Sequence, residues 1–241
     1  MIRDLISKVK SALITSHYSL NALYIVLFHK EKIRFYKMVR KWARSILKAN
    51  HVKLIISGNT YSDTEEAMIY ATNHSSMFDI PVVFSAIERD LRIIYKRELE
   101  KVPLFGYALK RSPLIAITRS NPRDSMASMQ EAISSIHENI SVVIFPEGTR
   151  NPKRDEMNSF KRGAFLLASR SGKKIVPAAI TGSSDVLSKS KPPPKEYIIY
   201  IDFLEPVEMP EKASKQEENR IMNEMRDNIL AQVKKRASMI Q

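Results

Sequence analysis

The chain has 241 residues, 44% hydrophobic and 27% charged, a balance that suits one α/β domain with an appendage and excludes a largely disordered protein. There is no cysteine, which excludes disulfides, a cysteine nucleophile and thiolate metal sites. A net charge of +13 asks for an anionic partner, either nucleic acid or an anionic membrane surface. The five histidines (His17, His29, His51, His74, His137) form no HxxxH or HExxH pair, so no metal or cofactor is expected. No internal repeat is present.

The N-terminal segment holds most of the charge. Residues 1–48 carry eleven Lys/Arg against two Asp/Glu, a balance of +9, leaving +4 for the rest. Residues 11–28, "SALITSHYSLNALYIVLF", contain no charged side chain. A transmembrane helix needs about 20 mostly apolar residues, and Ser11, Thr15, Ser16, His17, Ser19 and Asn21 make this run a poor span. It also lacks the small-residue cleavage site of a signal peptide. The next stretch, "EKIRFYKMVRKWARSILK", spaces Ile33, Tyr36, Val39, Trp42 (or Ala43) and Ile46 as one face of a helix with Lys and Arg elsewhere. That pattern fits a helix lying in a membrane interface, with Trp and Tyr at headgroup depth. The alternative is an amphipathic helix pair packed on the protein's own core. Charge clustering and the aromatics favour the membrane. Nucleic acid is not expected, because no reader motif and no GxxxxGK phosphate loop occurs.

After Asn50, short β-branched runs alternate with helical stretches. Strands are predicted at "VKLIIS", "AMIYAT", "LRIIYK", "PLIAIT", "SVVIFP", "KIVPAAIT" and "YIIYIDF". Helices are predicted at about 80–88, 100–110, 123–139, 160–171 and 215–238, the last opened by a Ser214/Glu217 capping box. The alternation predicts a layered α/β domain over residues 51–241. Its mostly parallel or mixed central sheet is flanked by helices, with residues 1–50 as the helical appendage. Pro177 inside "KIVPAAIT" suggests an edge or irregular strand, and Pro192–Pro194 a stiff surface loop.

Four stretches carry candidate chemistry. In "NHSSMFD", His74 leaves a predicted strand and Asp79 follows five residues later at the expected N-cap of the next helix. Histidine suits proton transfer near neutral pH, and a carboxylate can fix its tautomer if a turn brings the two together. Taken alone, the pair also fits a turn histidine and a capping aspartate. In "VVIFPEGTR", a buried strand ends at Pro146 and is followed by Glu147, Gly148, Thr149 and Arg150. Ligands bind at such strand ends in α/β sheets, and the Arg150 fork suits phosphate. In "YKRELEKVPLFG", Lys96 and Arg97 follow a strand, with Glu98 beside them. The fourth stretch is "KKIVPAAITG".

Together these four blocks, in this order across residues 73–180, resemble the glycerolipid acyltransferase superfamily. "NHSSMFD" matches its NHxxxxD block, "KREL…P…G" leading to "LIAITR" its second, "FPEGTR" its third and "IVPAAI" its fourth. Small size and the third block resemble the bacterial 1-acyl-sn-glycerol-3-phosphate acyltransferases. The resemblance implies an enzyme that moves a fatty acyl group from acyl-CoA or acyl carrier protein to the 2-hydroxyl of lysophosphatidate. It makes His74 the general base and Asp79 its support. Arg150, with Lys96 or Arg97, would hold the phosphate. Glu147 would orient that arginine or touch the headgroup, while Gly148 and Thr149 shape the loop. The lysophospholipid hydroxyl would itself be the nucleophile, so Ser75 and Ser76 are read as turn residues. The basic appendage would then keep the enzyme on the anionic cytoplasmic face of the cell membrane. The same blocks also serve glycerol-3-phosphate or another lysophospholipid as acceptor. A non-catalytic peripheral membrane module is the reading from a different class.

Overall fold

The computed structural model describes residues 2–29, 32–118, 121–153, 156–186, 194–210 and 212–240. Two helices lead the chain, α1 (Ile2–Phe28) and α2 (Lys32–Ala49). They precede β1 (Val52–Ser57), β2 (Ile69–Thr72), α3 (Asp79–Ala86), β3 (Leu91–Lys96), α4 (Phe105–Arg111) and β4 (Ile115–Ile117). The remainder is α5 (Pro122–His137), β5 (Ser141–Ile144), α6 (Gly163–Ser171), β6 (Ile175–Thr181), β7 (Tyr197–Phe203) and α7 (Lys215–Ala237). Short 3-10 turns occupy Arg97–Lys101 and Ser183–Asp185.

The seven strands form one sheet in the order β1-β7-β6-β2-β5-β3-β4. Every pairing is parallel except β6 with β7, so the sheet is mixed. Alternate side chains serve opposite faces, as strand geometry requires. Tyr70, Val143, Val176 and Ala178 join α2 and α3 in one core, whereas Ile69, Ala71, Val142, Ile175 and Ala179 join α5, α6 and α7 in the other. The central β2 and β6 are buried throughout, which explains their unbroken apolar runs.

Three expectations need correction. First, β6 is an interior strand although it contains Pro177. The missing N–H is tolerated because the ladder on that side is irregular there. Ile175 exchanges both hydrogen bonds with Val207, Pro177 only accepts from Leu204 N, and regular pairing with β7 starts at Ala178. Second, the helix expected at 100–110 is a 3-10 turn and then α4, parted at Pro103 and at Leu104, whose φ is +60°. Third, most of the apolar face of α2 packs on the protein's own core, although Ile33 at its start stays 47% exposed. Phe35, Tyr36, Val39, Ala43, Ile46 and Leu47 are buried in the core with α3 and the sheet. Each large aliphatic or aromatic side chain so buried contributes about 1.5–3 kcal/mol, which decides where α2 packs.

The apolar surface belongs instead to α1. Ser11, Thr15 and Tyr18 line the seam with α2 and the turn after it: Asn50 donates to Ser11 Oγ (2.8 Å), Trp42 Nε1 donates to Thr15 Oγ1 (3.2 Å), and Tyr18 meets Ser45 (3.3 Å). That leaves Leu5, Val9, Leu13, Leu20, Tyr24, Leu27 and Phe28 exposed. Leu5–Phe28 is long and apolar enough to cross a membrane by length and composition, so the reading of a poor span is also corrected. At the other end of the chain, Ser214 accepts the Glu217 N–H (3.1 Å), as the capping pattern predicts. The stiff loop expected at Pro192–Pro194 reaches into 187–193, outside the described residues, and Arg119 of the second block also lies outside.

Candidate active site

Four adjacent parallel strands, β6-β2-β5-β3, end on one edge of the sheet. His74 follows β2, Lys96–Arg97 close β3, Glu147–Arg150 follow β5 and Ser183 follows β6. Such edges are where α/β sheets bind ligands.

At the centre, His74 Nδ1 lies 2.7 Å from Asp79 Oδ2, so the sequence pair is a physical pair. An ionised carboxylate only accepts hydrogen bonds. Nδ1 therefore carries the proton and Nε2 is left as an acceptor, the arrangement of a general base. Asp79 is 0% exposed. It is not the N-cap, a correction to the sequence reading. Phe78 occupies that position, and Asp79 is the first residue of α3. Its carboxylate points back into the preceding turn, where Oδ2 also accepts Ser75 N (2.7 Å) and Ser76 N (2.9 Å). The spacing of five works because the turn between the two residues wraps around that oxygen.

The histidine loop is held from several sides. Asn73 pairs with the backbone of Ile180, donating to its O (2.9 Å) and accepting from its N (2.7 Å), which ties the end of β2 to β6. His74 O accepts Asn151 N (2.7 Å), and the His74 ring stacks on Phe145 at 4.1 Å. Glu147, only 3% exposed, accepts His74 N through Oε1 (2.8 Å) and Asn158 N through Oε2 (2.9 Å). Burial pushes the Glu147 carboxyl above its ordinary value, against the lowering effect of those two N–H donors.

The Acyltransferase family model matches residues 53–181, more than half of the chain. The chain belongs to this acyltransferase family. Among curated relatives, a chloroplastic 1-acyl-sn-glycerol-3-phosphate acyltransferase of Arabidopsis thaliana is 27% identical over 165 residues, 68% of this chain and 46% of the relative. The enzyme of that name from Cocos nucifera is 35% identical over 54% of this chain and 42% of its own. The one from Helicobacter pylori is 30% identical over 52% of this chain and 53% of its own. The chain thus spans about half the length of the curated relatives it matches. In fold it is similar to the crystal structure of a 1-acyl-sn-glycerophosphate acyltransferase from Thermotoga maritima, with a TM-score of 0.77 at 19% identity over 97% of this chain and 95% of that one.

Within this family member, the other expected site residues are placed less uniformly. Gly148 closes a four-residue turn by donating to Phe145 O (3.0 Å), with Pro146 second and Gly148 fourth. Its φ of +69° lies in the region that disfavours side chains, and a Cβ there would sit 2.8 Å from Lys161 Cε. Thr149 and Arg150 are exposed, and Arg150 makes no hydrogen bond or ion pair among the described residues. Glu147 holds the His74 loop through Oε1 and the Asn158 N–H through Oε2. Lys96 Nζ stands 3.4 Å from Glu98. Arg97 is clamped by Thr118 Oγ1 (3.0 Å) and Asp124 (3.2 Å). Thr118 foremost, then Arg97, holds the Asp124 carboxyl below its ordinary range. No hydrogen bond among the described residues joins Lys96, Arg97 or Arg150 to the His74–Asp79 pair. Sequence reasoning missed Asn73, Phe145, Asn158, Lys161 and Ser183. Asn73 and Phe145 adjoin or lie within quoted blocks, whereas Asn158, Lys161 and Ser183 lie outside the four blocks and carry no local signal.

Proposed function

We propose that the protein is a 1-acyl-sn-glycerol-3-phosphate acyltransferase. It would take a fatty acyl group from acyl-CoA or acyl carrier protein and place it on the sn-2 hydroxyl of lysophosphatidate, giving phosphatidate. The observation that carries this reading is the His74–Asp79 pair, with Asp79 buried and His74 Nε2 free, at the sheet edge that also carries the Arg150 loop. The names of the relatives supply the acceptor.

His74 Nε2 takes the hydroxyl proton as the acceptor oxygen attacks the thioester carbonyl. Asp79 steadies the imidazolium that forms. When the tetrahedral intermediate collapses, the C–S bond breaks and the thiolate leaves with that proton. The result is an ester and a free thiol, with no acyl-enzyme. General base catalysis of this kind contributes about 10²–10⁴-fold. Arg150 is an exposed guanidinium without a carboxylate partner among the described residues, so it is the group best placed to meet phosphate. Arg97 is already held in a fixed orientation by Asp124, which suits a second, preorganised phosphate donor. Lys96 is the looser alternative.

Residues 1–50 would serve as a membrane-association motif and residues 51–241 as the catalytic domain, at the cytoplasmic face of the cell membrane. Support comes from α1, whose exposed apolar face lies in a segment of balance +9, a combination that fits an anionic lipid surface. The test is an acceptor panel in mixed micelles, with lysophosphatidate, glycerol-3-phosphate and a zwitterionic lysophospholipid offered alongside each donor. The expected result is phosphatidate as the main product. In Arg150→Ala, KM for lysophosphatidate should rise about ten-fold or more while thioester hydrolysis holds. Equal use of the zwitterionic acceptor, or equal loss of transfer and hydrolysis in Arg150→Ala, counts against the phosphate clamp.

A further inference from the structure

The fourth block, "IVPAAI", has an architectural role as β6 but no chemistry assigned to it. The structure gives its strand a cargo. Beyond Thr181 the chain turns at Gly182 (φ +94°), where a Cβ would meet Ile198 O at 2.4 Å, and Ser183 follows with no exposed surface (0%). Because β6 runs parallel beside β2, this turn delivers Ser183 against the histidine loop. Its hydroxyl forms a short hydrogen bond with Asp79 Oδ1 and lies 2.8 Å from Ser75 Oγ.

The proton positions follow from the inventory of donors. Oδ1 of an ionised carboxylate accepts only, so the single Ser183 proton points at Asp79. Ser183 Oγ is then the acceptor for the Ser75 hydroxyl. The chain therefore reads Ser75 to Ser183 to Asp79, with His74 meeting the carboxylate from its other oxygen. Asp79 has three donors on Oδ2 and, among the described residues, one on Oδ1. A fully buried carboxylate depends on each of them.

We propose that Ser183 is a positioning residue for the His74–Asp79 pair: its hydroxyl fixes the rotation of the Asp79 carboxylate and sets how strongly that carboxylate holds His74. This rests on the reading of His74 as the base. Among the described residues, Asp79, from α3, hydrogen-bonds His74, and Glu147, from the loop after β5, interacts with it electrostatically. Ser183 acts on the first and not the second. Removing its hydroxyl takes a donor from Asp79 and makes the carboxylate more basic, so it stabilises the imidazolium more and His74 keeps its proton to higher pH. A base protonated at neutral pH is a poorer base.

The experiment has two arms on the full chain in detergent micelles. The first titrates the His74 ring by NMR, assigned by its loss in His74→Gln, in wild type and Ser183→Ala. The second records the pH dependence of kcat and KM for acyl transfer to lysophosphatidate. The midpoint of the His74 titration should move to higher pH in Ser183→Ala. In parallel, the acid limb of the rate profile should move up, with kcat about ten-fold lower near neutral pH and KM within about two-fold. Ser183→Cys keeps the volume with a weaker donor and should shift in the same direction. It replaces the alanine variant if that variant fails to fold. A midpoint at or below the wild-type value in a folded variant overturns the proposal, since a merely structural role lowers activity at every pH without moving His74. The NMR arm needs no substrate. A moved midpoint with no transfer by wild type would count against the acyltransferase reading and leave the Ser183 assignment standing.

Discussion

At the scale of single residues, the site is a set of backbone contacts around one imidazole. His74 is held through its N–H by Glu147, through its carbonyl by Asn151, through Nδ1 by Asp79 and over its ring by Phe145. Glu147 is the most exacting of these, because both of its oxygens accept and a neutral amide can offer only one acceptor. Glu147→Gln should therefore lower transfer activity by misplacing the loop, while binding of lysophosphatidate changes little. Its effect on stability depends on pH, and the sign follows from burial. A carboxyl whose folded value is raised favours the folded state when protonated and loses that contribution as pH rises from its unfolded to its folded value. The wild type should lose stability relative to Glu147→Gln over that window, measured as the difference in Tm between pH 4 and pH 7. A constant difference would contradict the burial argument. The His74–Asp79 pair was legible in the sequence as residue types at a workable spacing. The position of Asp79 inside the first turn of α3 was not, because the turn wraps one oxygen in three N–H donors that no sequence pattern marks. The two backbone N–H groups that Glu147 accepts were not legible, because they come from His74 and Asn158, 73 and 11 positions away in the chain.

At the scale of elements, the alternating strands and helices were readable because the periods differ and the buried strands are continuous apolar runs. What the sequence could not give was order in the sheet. Pro177 argued for an edge, yet the local break in the ladder between Ile175 and Ala178 absorbs the missing donor inside the sheet. The N-terminal helices exchanged roles for a related reason. Both are amphipathic, and only packing shows that α2 turns most of its apolar face to the core while α1 turns Ser11 and Thr15 inward. Leu13→Glu with Leu20→Glu should therefore weaken binding to anionic vesicles by about ten-fold or more, since two exposed leucines that would enter the lipid are lost and two repulsive charges are added. Unaltered Tm would show that the fold is intact, as both side chains are exposed. Vesicle binding unchanged by this pair would remove α1 from the membrane contact.

At the scale of the molecule, charge and apolar surface coincide near the N-terminus, and the reactive edge gathers loops from four neighbouring strands. A phospholipid acceptor would meet the protein with its phosphate toward cations and its chain toward lipid, which is what a basic segment carrying an exposed apolar helix provides. Vesicle association should weaken with salt, because basic residues within a Debye length of the surface supply part of the attraction. A residual part should persist at high salt through the α1 face.

The measurement that bears most directly on the account is the rate of phosphatidate formation from lysophosphatidate and a long-chain acyl thioester, in wild type and in a folded His74→Gln variant. The account predicts steady formation by wild type and a loss of about 10²–10⁴-fold or more in the variant, with Tm little changed. Transfer by His74→Gln within ten-fold of wild type would contradict it, because the one imidazole held by Asp79 would then have no part in moving the proton.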